Sequence, residues 1–350
     1  MIEKQLWFPV VASTEVRDKP VGVSLLDEAV VLWREPGHEG APGAVHAWAD
    51  RCPHRGARLS LGRVLNHLHG ARLECPYHGW QFAGDAAAVQ GSSSCARCVH
   101  VPAAPEFVPP AGHAAEVFEA REAHGLVWVR LLKPGAAVPA VLAEPPVFEP
   151  WVDSAWRQLL CGPYEVHTSA PRLVENFLDL SHFGFVHEGW LGARSHAQVE
   201  TGLVQEGAEG LQANECKAWQ PRGYAGAEGG VWVAYRYTVP HPFAAILRKD
   251  ATEGDPVSNA IALFIRPDGA ERCTAWFAMA TLGDPATDEE LRSFQDTVFA
   301  QDRPVVESQQ PKCLPIGQQG LVAEVHSPAD RMSSAYRRYL ARLGVELGVC

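Results

Sequence analysis

Arg172-Leu-Val-Glu-Asn-Phe-Leu-Asp-Leu-Ser-His-Phe-Gly-Phe-Val-His187 sets two histidines, two acids and an amide among apolar side chains. Read as a helix, this stretch places Asn176, Asp179 and His182 on one face, because they follow one another at intervals of three. His187 lies more than one turn beyond His182, so we expect the helix to loosen or end at the intervening glycine. Two imidazoles could then converge on one metal ion. The alternative is a buried helix with hydrogen-bonded core histidines.

The composition is that of an ordinary globular chain of 350 residues, long enough for two domains. A net charge of −11, without a run of Lys or Arg, predicts no nucleic-acid or anionic-membrane partner. We find neither a basic and apolar leader nor a run of about 18 apolar residues, so we expect neither export nor a membrane span. The nine cysteines are then reduced thiols or metal ligands in a cytoplasmic protein.

Two domains of different character are predicted. Residues 1–135 contain short β-rich runs broken by Gly, Pro and Asp, which are typical of an antiparallel all-β domain. Residues 136–152 form a Pro- and Ala-rich linker. Residues 153–350 mix strands with helices, including a hairpin across Pro267–Ala270 and a helix opened by a capping box at Thr287–Glu290. The predicted fold class is therefore α+β.

Two Cys/His pairs in the first domain, Cys52-Pro-His54 and Cys75-Pro-Tyr-His78, form the first candidate metal site. A structural zinc site uses the same ligand types. A Rieske [2Fe–2S] centre binds one iron through two cysteines and the other through two histidines. Zinc fingers group cysteines together and histidines together, whereas each half here mixes them. Because both flanking sequences also match the Rieske signature, we predict a cluster held by Cys52, His54, Cys75 and His78.

Cys95-Ala-Arg-Cys98 has the spacing of a metal or redox pair. It ends a Gly/Ser-rich loop and has no complementary second pair. We interpret it as two loop thiols and assign no role to them.

A one-electron carrier in the first domain favours a second metal site, at which those electrons are used. Two histidines and one carboxylate leave coordination positions on iron(II) open for O2 and substrate, as in non-haem iron oxygenases. We expect His182 and His187 to be joined by a carboxylate from the helix that begins near Asp288. The predicted buried side of this helix comprises Leu291, Phe294, Val298 and Val305.

Asp302 falls on that buried side and is the predicted third ligand. Asp296 lies near the opposite face, and Glu307 follows Pro304, where we expect the helix to kink or end. The alternative for Asp302 is an ordinary helix carboxylate paired with a nearby basic residue. Asp179 is expected to hydrogen-bond a ligand histidine and to link the two redox centres. Asn176 is expected to orient Asp179 or to lie beside the iron without binding it.

Taken together, the two Cys/His pairs and the motif ending at His187 resemble the Rieske non-haem iron oxygenases, over almost the whole chain. The likeness is to the terminal α subunit, and within it to the short members that consist of this subunit alone. Phe299–Gln309 resembles the segment of methylxanthine N-demethylases that carries the carboxylate ligand. Ser181–Gly192 and Tyr336–Cys350 resemble the hydroxylases of saxitoxin-type alkaloids.

The resemblance implies a Rieske domain followed by a catalytic domain in which an antiparallel sheet grips long helices. It also implies a [2Fe–2S] cluster, a mononuclear Fe(II), and electrons from NAD(P)H delivered by a separate flavin and iron–sulfur reductase. The assembly implied is a homotrimer, in which one subunit's cluster feeds its neighbour's iron through the residue matching Asp179.

The function expected is hydroxylation of a C–H bond in a small organic substrate, ending in a stable alcohol or in N- or O-demethylation. Three alternatives are cis-dihydroxylation of an aromatic ring, a Rieske electron carrier without oxygenase activity, and a zinc-stabilised binding protein. The substrate, its regiochemistry and the reductase stay open. A substrate pocket is expected to involve Phe185, Val231–Tyr237, Ala260–Phe264 and Trp276.

Overall fold

The computed structural model describes residues 2–37, 41–67, 70–83, 95–132, 137–138, 143–207, 210–222, 229–252, 256–317 and 324–350. The chain forms two compact units, one spanning Lys4–Pro145 and the other combining Met1–Glu3 with Pro146–Cys350. Part of the predicted linker and most of the Gly/Ser-rich loop before Cys95 lie outside the described residues. No helix in the described ranges combines the length and the apolar character needed to cross a bilayer.

The first unit is an antiparallel β structure, as predicted. Its described strands are β1 Phe8–Ala12, β2 Val21–Leu25, β3 Glu28–Arg34, β4 Val45–Ala49, β5 Arg63–Leu65, β6 Arg72–Glu74, β7 Gln81–Ala83, β8 Cys95–His100, β9 Ala114–Ala123 and β10 Leu126–Arg130. They pair in the order β2-β3-β4-β9-β8-β7-β6-β5, and β10 joins β9 to β1.

The core of this unit supports the two Cys/His loops. Trp33 and Trp48 pack edge to face, with ring centroids 4.9 Å apart, and Cys52 and Cys75 belong to the same buried cluster. The loop that carries Cys75 connects β6 to β7, so two short paired strands fix its ends. Burying the cysteines against apolar side chains therefore holds both loops on a rigid base.

The interpretation of Cys95 and Cys98 as loop thiols was wrong about their place in the fold. Both lie in β8, which pairs with β7 and β9. The Cys98 thiol is buried and lies 3.6 Å from the carbonyl of His100. Burial raises the pKa of this thiol, so it stays protonated and packs as a small apolar side chain.

The second unit combines one antiparallel sheet with helices. The strands are β11 Arg157–Val166, β12 Val199–Gly207, β13 Gly210–Gln220, β14 Val231–His241, β15 Ala244–Lys249, β16 Ser258–Gly269 and β17 Arg272–Leu282. The helices are α1 Ala170–Leu178, α2 Phe183–Val186, α3 Asp288–Ser308 and α4 Arg331–Leu343. The sheet order is β11-β17-β16-β15-β14-β13-β12, and the predicted hairpin is the pair β16–β17. The predicted α+β fold class is thus confirmed.

Helix α3 begins as predicted but buries a different stripe. Glu290 N–H donates to Thr287 Oγ1 at 3.2 Å and Thr287 N–H donates back to the Glu290 carboxylate at 2.7 Å, which is a capping box. The buried residues are Gln295, Phe299, Asp302 and Val306. The predicted stripe was wrong because Phe294 packs against Trp190 at the surface and Val305 is exposed.

Asp302 is buried on either assignment, because it belongs to the observed stripe and lies on the side of it that faces the predicted one. Pro304 does not end α3, which continues to Ser308. The proline lacks an N–H and so leaves the carbonyl of Ala300 without its helical donor. The helix backbone is thus locally weakened next to Asp302.

A buried arginine ties α1 to the rest of the second unit. The Arg172 side chain is 2% exposed and donates to the Glu324 carboxylate at 2.6 and 3.1 Å and to the Pro311 carbonyl at 2.8 Å. Arg337 of α4 donates to the same Glu324 and to Glu175 of α1, both at 2.6 Å. These four charged groups fix α1 against α4.

Arg172→Met is expected to lower the free energy of unfolding of the second unit by about 1.5–3 kcal/mol, because it removes the charged hydrogen bonds to Glu324 and the bond to the Pro311 carbonyl, while Arg337 stays bound to Glu324. Urea unfolding followed by circular dichroism measures the change. Arg338→Met removes an arginine whose side chain is 63% exposed and is expected to cost less than about 1 kcal/mol. Equal effects of the two substitutions would contradict the anchoring role of Arg172.

Candidate functional site

The two Cys/His loops of the first unit have the same backbone structure. Cys52 N–H donates to the Ala57 carbonyl at 2.8 Å, and Gly56 N–H donates to the Cys52 carbonyl at 2.9 Å. The loop of Cys75 repeats both hydrogen bonds, at 2.8 and 3.1 Å. In both loops the glycine has a left-handed φ, 72° and 69°, a conformation that favours glycine. The sequence therefore builds two equivalent loops that present their side chains to each other.

The loops place two thiols and two imidazoles together. Cys52 and Cys75 are buried, whereas His54 is partly exposed and His78 is exposed, with their ring centroids 4.7 Å apart. Trp80 stacks on His54 at 4.3 Å. Burial raises the pKa of Cys52 to about 11. The Cys52 thiol therefore keeps its proton at neutral pH unless a bound metal takes the proton's place. Paired thiols inside and paired imidazoles outside fit a Rieske [2Fe–2S] cluster.

The second candidate site lies where α1 ends. The predicted helix through His182 was wrong, because α1 stops at Leu178 and Asp179 is extended. Gly184, where the helix was expected to loosen or end, lies inside the short α2. The Asp179 carboxylate accepts the backbone N–H groups of Ser181 at 2.8 Å and His182 at 3.2 Å. A side chain thus replaces the helical acceptors and turns the chain.

His182, His187 and Asp302 meet at this turn. The Asp302 carboxylate lies 3.5 Å from His182 Nε2 and 3.2 Å from His187 Nε2. One donor atom from each residue lies within 4.8 Å of the other two. Two imidazole nitrogens and one carboxylate oxygen are the donors that suit a mononuclear iron(II) with open positions. The structure therefore brings together the three side chains predicted from the sequence.

Each histidine of this group has a partner on its second nitrogen. His182 Nδ1 lies 3.0 Å from Asp179 Oδ2, and His187 Nδ1 lies 2.8 Å from Gln301 Oε1. With Nδ1 as donor, Nε2 of both rings is left to face Asp302. Gln301 was not predicted from the sequence. Its position next to the predicted ligand Asp302, on the same helix, was the available signal.

The pKa shifts of Asp179 and His187 follow from the groups that they contact. Burial alone would raise the pKa of Asp179, but hydrogen bonds and charge from His182, with the hydrogen bond from Ser181, hold it below its usual range. Asp179 is therefore ionised at neutral pH. Burial would lower the pKa of His187, but Asp302 and then Gln301 raise it. An ion bound there would replace the proton as the partner of Asp302.

The side chain of Asn176 contacts Asp302 and does not contact the side chain of Asp179. Its Nδ2 donates to Asp302 Oδ1 at 3.4 Å, while only its backbone carbonyl accepts from Asp179 N–H, at 3.2 Å. Of the two roles expected for Asn176, orienting the Asp179 side chain was wrong. Asn176 instead lies beside the group and contacts Asp302.

A cavity of about 1090 Å³ opens directly onto these residues. Of the residues expected to form the pocket, the cavity is lined by Tyr235, Tyr237, Ala260, Ile261 and Leu263. Several expected members do not line it. The Trp276 side chain is buried elsewhere in the core, and Phe185 is half-exposed on the surface. The remaining members outside the lining are Val231–Ala234, Arg236, Ala262 and Phe264. Helix α3 and strand β17 also line the cavity with residues that were not predicted from the sequence, including Val298, Phe299, Phe277 and Met279.

Two family profiles match the chain in succession. The Rieske [2Fe-2S] domain matches residues 6–106, and the vanillate O-demethylase oxygenase C-terminal domain matches residues 166–346, more than half of the chain. The chain belongs to the Rieske non-haem iron oxygenases. Members of this family combine a [2Fe–2S] cluster with a mononuclear iron and receive electrons from a separate reductase.

Methylxanthine N-demethylases are among the relatives of this Rieske oxygenase. Methylxanthine N1-demethylase NdmA of Pseudomonas putida is 31% identical over 346 residues, covering 97% of this chain and 89% of the relative. The probable methylxanthine N7-demethylase NdmC of Pseudomonas sp. (strain TJI-51) is 36% identical over 64% of this chain and 77% of its own length. The structure of NdmA with caffeine superposes with a TM-score of 0.73 at 28% identity, covering 97% and 90% of the two chains. The resemblance to the methylxanthine N-demethylases is confirmed; the likeness to the alkaloid hydroxylases stays a prediction.

Metal analysis of anaerobically purified protein should give about three irons per chain, with the red-brown absorption of a Rieske cluster. His187→Ala is expected to retain that absorption and about two irons. Cys75→Ser is expected to lose the absorption. His196→Ala, which removes an exposed histidine of the same unit as His187, is the control and should match the parent. A colourless, zinc-containing protein would contradict the cluster.

Proposed function

We propose that this oxygenase hydroxylates a methyl group on nitrogen or oxygen of a small organic substrate and so demethylates it. The proposed cluster ligands are Cys52, His54, Cys75 and His78, and the proposed iron ligands are His182, His187 and Asp302. One observation carries the proposal: the two-histidine, one-carboxylate group opens onto a large, mostly apolar cavity. The domains proposed are 1–135, a linker at 136–152, and 153–350.

The cavity walls hold the substrate and exclude water from the reacting carbon. Phe177, Leu159 and Met279 provide apolar surface. Gln220 Nε2 donates to the Tyr235 hydroxyl at 2.5 Å in the same wall, which offers polar contacts to orient a substrate. Iron(II), when bound, supplies the activation of O2. Asn176 and Asp302 both line the cavity beside the two histidines that would hold the iron.

The overall reaction balances with two electrons. Substrate-bound CH3, O2, two electrons and two protons give substrate-bound CH2OH and water. A CH2OH group on nitrogen or oxygen breaks down to formaldehyde and the demethylated heteroatom, whereas one on carbon stays an alcohol. The likeness to N-demethylases and to a family described by vanillate O-demethylase favours the first outcome for this chain.

We propose a homotrimer for electron delivery, in which the cluster of one subunit faces Asp179 of its neighbour. Two observations support this arrangement: His78 is exposed, and the Asp179 side chain is 27% exposed while bound to His182. An ionised carboxylate that accepts from His182 on one side could accept from an imidazole of another subunit on the other. Because NAD(P)H is a cytoplasmic reductant, we place the protein in the cytoplasm with its flavin and iron–sulfur reductase.

Asp179→Asn is expected to keep both metals and the Rieske absorption while lowering coupled turnover about 100-fold, because the amide carries no charge to link the two histidines. Stopped-flow reoxidation of the reduced cluster, in the presence of substrate and O2, measures the transfer. Asp153→Asn, which changes an exposed acid, should behave like the parent. Loss of the mononuclear iron from Asp179→Asn would contradict the linking role.

Oxygen uptake with N-methyl compounds such as caffeine, and with O-methyl aromatic acids such as vanillate, should release about one formaldehyde per O2 consumed with a true substrate. Formaldehyde assay and oxygen electrode together measure this ratio. A stable alcohol would contradict demethylation, and a cis-diol would favour ring dihydroxylation. If O2 is consumed without release of formaldehyde and is recovered as hydrogen peroxide, the compound tested is not a substrate.

A further inference from the structure

The two histidines of the proposed iron site have chemically different partners. His182 Nδ1 contacts the carboxylate of Asp179 at 3.0 Å, whereas His187 Nδ1 contacts the neutral amide oxygen of Gln301 at 2.8 Å. Histidine ligands commonly donate their second N–H to a carboxylate or carbonyl, which fixes the tautomer and the ring orientation. The acceptor that orients the ring is therefore charged at His182 and neutral at His187.

Helix α3 contacts both nitrogen atoms of His187 with consecutive residues. Gln301 meets Nδ1 at 2.8 Å, and the Asp302 carboxylate lies 3.2 Å from Nε2. Consecutive helical residues point about 100° apart, so one turn can reach around an imidazole edge. His187 is 1% exposed, and solvent therefore offers its Nδ1 no alternative acceptor. The orientation of this ring is set by α3.

The neutral partner also sets the charge of the site. Asp302 and the ionised Asp179 carry the two negative charges that would balance the two positive charges of iron(II). A carboxylate in place of Gln301 would add a third negative charge beside a buried ring, where charges interact strongly. The amide keeps the hydrogen bond and avoids that charge.

We propose that Gln301 is a positioning residue, which holds His187 in the tautomer and orientation that present Nε2 to iron while keeping this side of the site neutral. The inference rests on the proposed iron ligands, and it adds a residue that neither binds the metal nor touches the substrate in this role. Gln301 acts through His187 alone, in contrast to Asp179, which also carries the proposed link between subunits.

Two substitutions separate the hydrogen bond from the charge. Gln301→Leu removes the acceptor and keeps a side chain of similar size. It is expected to weaken Fe(II) binding about 10- to 100-fold in anaerobic titrations of protein with an intact cluster, and to broaden the EPR spectrum of the nitrosyl adduct. Gln301→Glu restores the acceptor and adds the charge. It is expected to bind Fe(II) at least as tightly as the parent, but with a shifted nitrosyl spectrum. Gln205→Leu, an exposed glutamine on β12, is the control.

Several results would overturn the proposal. Parent-like Fe(II) affinity and nitrosyl spectrum in Gln301→Leu would remove the positioning role. If Gln301→Leu does not fold, Gln301→Glu decides alone, because a parent-like nitrosyl spectrum there would refute the charge argument. His187→Ala separates the role of Gln301 from the proposed iron site. If His187→Ala loses iron while Gln301→Leu behaves like the parent, only the role of Gln301 is contradicted. If His187→Ala keeps its iron, the proposed iron site is contradicted.

Discussion

The carboxylate of Asp179 is the group on which the geometry of the second site depends. One oxygen accepts Ser181 N–H, and the other accepts both the backbone N–H and the ring Nδ1 of His182. The first two contacts end α1 and turn the chain, and the third orients the ring that this turn exposes. Local folding and metal-ligand orientation therefore share one side chain.

The two centres differ in how much the sequence alone could predict. The cluster loops are local: each pairs a cysteine with a nearby histidine, and one glycine in a left-handed conformation closes each loop. Short motifs of this kind carry most of their own geometry. Their spacing therefore predicted both the loops and the donor set, although the assignment of all four ligands stays a prediction.

The second site joins distant segments, and the sequence predicted it only in part. Asp302 was predicted as a ligand because apolar spacing placed it on the buried side of α3. Asp302 is indeed buried, although the observed buried stripe is displaced from the predicted one. Periodicity could not predict the break at Asp179, because that break comes from side chain–backbone hydrogen bonds that compete with the helix. Gln301 was missed for a related reason: a pattern of apolar spacing does not distinguish a solvated amide from one that meets a buried imidazole.

Helix α1 explains why a polar cluster persists in these apolar surroundings. Its neighbouring residues Glu175 and Asn176 point to different partners: Glu175 is held by Arg337 of α4, and Asn176 donates to Asp302 of α3. The Arg172–Glu324 pair fixes the start of the same helix. A helix held by charged hydrogen bonds on one side can present polar groups to the site on the other, because its position does not depend on the contacts it makes there. The ion pairs around Arg172 are thus part of the scaffold that positions Asn176 and Asp179, even though none of them reaches the cavity.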